Sequence, residues 1–169
     1  MGSHRRAKIV LSIETQAIQN VQKAVLREAD GKALRKDLRT DLKSAVQPGV
    51  TEVQQKLRGM PSSSAKPALG SYLASKTKVA IRLSGRRTGI RVWIPFTPQL
   101  RGFTNAPRYL NKGFWRHTVF GNKNNWVGQV SPIPGFFDDT LKAHKEEYKQ
   151  GVLNALHDMA QRIARRSSS

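Results

Sequence analysis

"KVAIRLSGRRTGIRVWIPF", residues 78–96, decides how the rest of the chain is read. Val79, Ile81 and Leu83 alternate with Lys78, Ala80 and Arg82, the period of two that sends successive side chains to opposite faces of a strand. Gly85 and Gly89 punctuate a basic turn, and Ile90, Val92, Ile94 and Phe96 alternate with Arg91 and Trp93 on the return. The spacing predicts an antiparallel hairpin with one apolar face and one face of cations plus a tryptophan. "SGRRTG" lacks the Lys-Ser/Thr placement of a Walker loop and leads into a strand rather than a helix. It is a hairpin turn with exposed arginines.

Upstream, "GMPSSSAKPALGS" (59–71) has the Ser, Pro and Gly content of a linker. Before it the period is helical. Ala17, Ile18, Val21 and Val25 form one stripe from Glu14 to Ala29, which Asp30-Gly31 ends. Leu34, Leu38, Leu42 and Val46 recur every four residues in a second helix from Lys32, and Val50, Val53 and Leu57 extend the stripe to Arg58. Pro48 is expected to kink this helix, giving a bent helical arm over 14–58. "AKIVLSI" (7–13) is expected to be a strand, with Ile9, Leu11 and Ile13 on one face.

Downstream, Pro98, Gly102, Pro107 and Gly113 mark 97–113 as loop. "FWRHTVFGNKNNWVGQV" (114–130) reads as two short strands, about 114–120 and 126–130, around a Gly/Asn turn. Finally Phe137, Leu141, Tyr148, Val152, Leu156, Met159 and Ile163 keep helical spacing over 136–166, with Asp138 and Asp139 in the first turn and Arg162, Arg165 and Arg166 at the end, as the helix dipole favours. The expectation is a single α+β domain over 1–169: an N-terminal strand and two helices, an antiparallel sheet of about four strands across 77–130, and a long C-terminal amphipathic helix (136–166) packed on that sheet.

The charge is uneven. Residues 1–60 carry 12 basic and 6 acidic side chains and residues 137–169 carry 6 and 5, whereas 61–136 carry 12 basic and none acidic. Solubility alone rarely removes every acid from such a length, so the segment is expected to meet a partner of opposite sign, either polyanion or acidic protein. The candidate contacts are Arg82, Arg86, Arg87, Arg91, Arg101, Arg108, Arg116 and Lys123. Trp93, Trp115, Phe120, Trp126, Phe136 and Phe137 are candidates for subunit interface or core, since tryptophan concentrates at such contacts. Trp115 and Trp126 also suit base stacking, although no ordered row of aromatics lies on one strand.

Bond-making chemistry finds little support. There are no cysteines, which removes thiol catalysis, disulfides and thiolate metal sites. His117 near Asn122, Asn124 and Asn125 invites a metal-dependent nuclease reading, but that stretch has no carboxylate to hold a divalent cation. His144 and His157 are too far apart on the last helix to share a face, and no nucleophile, base and orienting group can be named together. No catalytic residue, metal site or cofactor is expected. Arg5, Arg6 and Lys8 precede only a short apolar run, and no run has the length of a membrane span, so a soluble protein is expected.

Several stretches resemble a known family. "RYLNKGFWRHTVFGNKNNWVGQ", then "PIPGFFDDTL", then a helix ending "ALHDMAQRIARR" is similar to tail-component proteins of long-tailed bacteriophages, the tail-completion or head–tail joining family, in its actinobacteriophage-like form. The likeness covers about 108–165. Its motifs are an aromatic–basic strand leading to Val119-Phe120-Gly121, Trp126 after the turn, and Pro134-Gly135-Phe136-Phe137 before the closing helix. The resemblance implies a structural virion protein without enzymatic activity or cofactor, assembled in the host cytoplasm. It implies a homo-oligomeric ring, expected to be a hexamer, at the neck between the capsid connector or stopper and the tail terminator or tail tube. Val119, Phe120 and Trp126 would then lie under the last helix, and the cations would face acidic neighbours or packaged DNA. Two alternatives stay open: a basic nucleic-acid-binding protein acting through phosphate contacts, and a tail terminator or minor tail protein at the same junction.

Overall fold

The computed structural model describes residues 8–11, 15–28, 30–61, 68–86, 88–97, 103, 105–119 and 122–167. The elements are β1 (Lys8–Leu11), α1 (Thr15–Val25), α2 (Gly31–Arg58), α3 (Leu69–Lys76), β2 (Lys78–Arg82), β3 (Gly89–Trp93), α4 (Ala106–Lys112), β4 (Phe114–Val119), β5 (Asn122–Val130), α5 (Asp138–Ala143) and α6 (Lys145–Ser167). The chain is α+β with a long C-terminal helix. The residues group into two compact units, each drawn from separate stretches.

The first unit comprises residues 9–49, 79–92 and 143–169. Its strands join in the order β1-β3-β2, and residues 83–88 between β2 and β3 are too few for a crossover, so those two form the antiparallel hairpin expected from the alternation. Leu83, Ile90 and Val92 are buried, while Arg82 and Arg86 are exposed. The stripe on α2 behaves as its spacing dictates: Leu34, Leu38, Leu42 and Val46 are all buried. On α6, Tyr148, Val152, Leu156 and Met159 are buried, and α1 packs along α6. Gly151 on α6 faces Ala45 on α2 so closely that a Cβ there would stand 2.9 Å from the alanine methyl. Arg162 adds ion pairs to Asp41 at 3.6 Å and Asp37 at 4.0 Å, and Arg166 one to Asp30 at 3.2 Å. The C-terminal helix thus makes contacts with α1 and α2.

The second unit comprises residues 1–8, 50–78 and 93–142. Its core holds Val50, Val53 and Leu57 from the end of α2, Leu73 and Ala74 from α3, Ile94, Leu110 from α4, and Phe136, Phe137 and Leu141 around α5. Lys56 donates to the buried Thr140 hydroxyl at 2.7 Å while pairing with Glu52 at 2.9 Å. The sheet of this unit has two strands, β4 and β5. The single four-stranded sheet expected from the sequence is therefore replaced by two separate sheets, because the hairpin of 78–93 pairs with β1 and not with 114–130.

Other boundaries differ for local reasons. Helix α2 is continuous through Pro48, whose ring lies on the exposed side while Val46, Gly49 and Val50 are buried, so the apolar stripe carries the helix past the missing N–H. Part of the presumed linker is α3. Part of the presumed loop is α4, with Pro107 in its first turn and Gly113 closing it at φ 91°, a left-handed value that suits glycine. The last helix is divided at His144, whose carbonyl accepts from Tyr148 N–H at 2.9 Å, whose ring stacks on Tyr148 and whose Nδ1 pairs with the Glu147 carboxylate. Among the described residues no helix is long and apolar enough to cross a membrane.

Candidate functional site

The feature that stands apart is the β4–β5 ribbon. Its register pairs Phe114 with Val130, Trp115 with Gln129, Arg116 with Gly128, His117 with Val127 and Thr118 with Trp126, before a bulge at Thr118/Val119. Asn122 to Asn125, expected as turn, belong to the longer β5, where Asn122 Oδ1 accepts from Asn124 N–H at 3.0 Å. Residues directly opposite share a face. One face therefore carries Phe114, Arg116 and Thr118 beside Val130, Gly128 and Trp126. The other carries Trp115, His117 and Val119 beside Gln129 and Val127.

The base of the ribbon is anchored on the second face. Trp115 is half-buried against Phe103, ring centroids 5.2 Å apart, and Tyr109, 6.3 Å. Tyr109 and Phe103 stack in turn at 5.9 Å. Asn111 ties α4 to the next segment: its Oδ1 accepts from the N–H groups of Phe137 and Asp138, its Nδ2 donates to the Asp138 carboxylate, and its carbonyl accepts from Gly135. Ser131 N–H closes the strand end on the Gly113 carbonyl at 2.8 Å.

The first face is open. Phe114 is 49% exposed, Trp126 51% and Val130 73%, and Arg116 and Gly128 are exposed with them, while Val127 on the second face is 42% exposed. Trp126, expected to be buried, is thus half in solvent, while Val119 is half-buried. Solvent on both sides of a two-stranded ribbon is costly, since such a ribbon has little stability of its own in water. Four large apolar side chains left on it mark a surface for contact with another molecule.

The other candidates divide. Arg108 is exposed on α4, so it lies in the same unit as Arg116. Arg82, Arg86 and Arg91 belong to the hairpin of the other unit, Arg91 being half-buried. Phe136 and Phe137 are core, packed edge to face at 6.3 Å and 70°. Trp93 is half-buried at the end of β3. Arg87, Arg101 and Phe120 lie outside the described residues, as does the side chain of Lys123. His117 is exposed, with Nδ1 3.2 Å from the Thr118 carbonyl oxygen. Sequence reasoning passed over Phe114, Val127 and Val130, whose alternation is equally that of a buried strand, and Phe103, Tyr109 and Asn111, which no periodicity singles out. Comparison with family models, curated proteins and solved structures finds no match for this chain.

Proposed function

We propose that the protein is a structural virion component of a tailed phage, a ring-forming tail-completion or head–tail connector protein at the neck that joins the capsid connector to the tail tube. The observation that carries this reading is the β4–β5 ribbon, which leaves Phe114, Trp126, Val127 and Val130 in solvent within a segment that contains cations and no acid. An apolar surface of Trp, Phe and Val with an arginine among them has the composition of a protein-contact core. The two units carry unlike surfaces, a basic hairpin in one and the aromatic ribbon in the other. Unlike surfaces on one chain are what a head-to-tail ring requires. The motif likeness over 108–165 supplies the phage context, and the ribbon forms the centre of that stretch.

Quantitative mass spectrometry of particles purified from cells expressing the encoding genome tests the proposal. The expected result is this chain at a fixed low copy number, and native mass spectrometry of the assembled neck should give a closed ring. Absence from mature particles overturns it.

The exposed Arg108 and Arg116, in the same unit as Trp126, and the exposed Arg82 and Arg86 of the other unit favour a second reading as a nucleic-acid binder. That reading requires oligonucleotide affinity that falls steeply with salt.

A further inference from the structure

We propose that the outer edge of β5 receives an added strand from a different protein, a strand bearing a carboxylate flanked two residues away on each side by apolar side chains. The proposal rests on the assembly reading above and names the chemistry of the partner at its ribbon.

Among the described residues β5 pairs with β4 alone, so its other side is an edge. The Ser131 N–H bond to Gly113, taken with the register, fixes the alternation of the ladder. Trp115–Gln129 and His117–Val127 exchange the inter-strand bonds, and the N–H and C=O groups of Gly128 and Val130 point outward. Proteins usually blunt such an edge with proline, repeated charge or brevity. β5 has none of these: it runs 9 residues, has no proline, and its one cation stands near its start. A strand laid along it takes the outward main-chain bonds and places alternate side chains beside Trp126, Gly128 and Val130.

The middle of those positions sets the charge. Gly128 has no side chain, and opposite it on β4 stands the exposed Arg116. The ring of Phe114 fills part of the gap, since a Cβ on Gly128 would come 2.9 Å from it. A carboxylate on the added strand beside Gly128 faces the guanidinium across that gap, and its neighbours two residues away rest on Trp126 and Val130.

None of the strands described in this chain can offer such a carboxylate to a second copy of itself. KIVL, KVAIR, GIRVW, FWRHTV and NKNNWVGQV contain no aspartate or glutamate, and each holds at least one cation. Edge pairing between copies would set like charges together. A nucleic acid fits less well, because the edge presents one arginine among apolar side chains and not a row of phosphate-spaced cations.

The test is calorimetric titration of the full chain with a synthetic peptide matched in length to the 9 residues of β5, alternating Thr with Val, Leu, Glu, Leu and Val in that order. Saturable binding is expected, weakened by about tenfold in Arg116→Glu protein or with Lys in place of the peptide's Glu, and restored when the two changes are combined. Val130→Pro removes one outward N–H and should weaken binding without lowering the melting temperature. No saturable binding overturns the proposal. So does tighter, Arg116-dependent binding of oligothymidylate, or self-association of the chain that Val130→Pro abolishes. Peptide failure with the chain present in particles sinks only the edge proposal, and peptide binding with the chain absent from particles sinks only the neck reading.

Discussion

Tyr148 closes over Gly49. A methyl group at position 49 would fall 2.7 Å from the ring carbon that bears the tyrosine hydroxyl, and nearer still to the hydroxyl oxygen. Both residues are buried, so the ring has little room to withdraw. Alanine is favoured over glycine in a helix by about 1 kcal/mol, but overpacking a core costs about 1–3 kcal/mol or more. Gly49→Ala should therefore lower stability in urea unfolding. Adding Tyr148→Phe removes the nearest atom and should recover part of the loss, so a double variant no better than the single would contradict this packing.

Phe136 and Phe137 fill the core around α5. Truncating either to alanine should cost about 3–5 kcal/mol, read as a large fall in melting temperature. Unchanged melting would mean that the aromatic pair is not where the fold places it.

Asn111 holds the start of α5 from 26 residues upstream. Asn111→Ala strands the N–H groups of Phe137 and Asp138 and should cost about 1–3 kcal/mol. Asn111→Asp keeps an acceptor but sets a carboxylate against Asp138, so it should recover only part of that loss, and more of it as salt is raised. Equal stability of all three proteins in chemical denaturation would remove this residue from the account.

Trp126 separates surface from core. Because its ring is half in solvent, Trp126→Ser should change stability by less than about 1 kcal/mol, while the number of copies incorporated per particle should collapse. A large loss of stability with normal incorporation would reverse the assignment.

Much of the fold was legible in the sequence, and the misreadings have physical causes. The leucines of α2, the hairpin of 78–93 and the stripe of α6 follow from periodicity because each buries one continuous face. Pro107 and Gly113 were read as loop punctuation although they stand just inside and just past a helix, an arrangement that marks helix ends as readily as turns. The split at His144 leaves the apolar spacing intact, so periodicity does not reveal it. Strand partnership was the main error, since alternation says which residues are strands and not which strands meet. The same limit hid the exposed face of the ribbon: Phe114, Trp126 and Val130 alternate as core residues do, and only the fold shows how much of each is left in solvent.

The absence of carboxylates from the five described strands has a further consequence for the free protein. A freshly made chain with a long open edge is a template for fibrils, and in a crowded cell the first edge it meets is that of another copy. Here each described strand brings a cation and no carboxylate to such an encounter. Mutual repulsion keeps newly synthesised copies apart, in the manner of gatekeeper residues, and adding a single glutamate to β5 should make the free protein more prone to aggregate even though it lowers the net charge by only one.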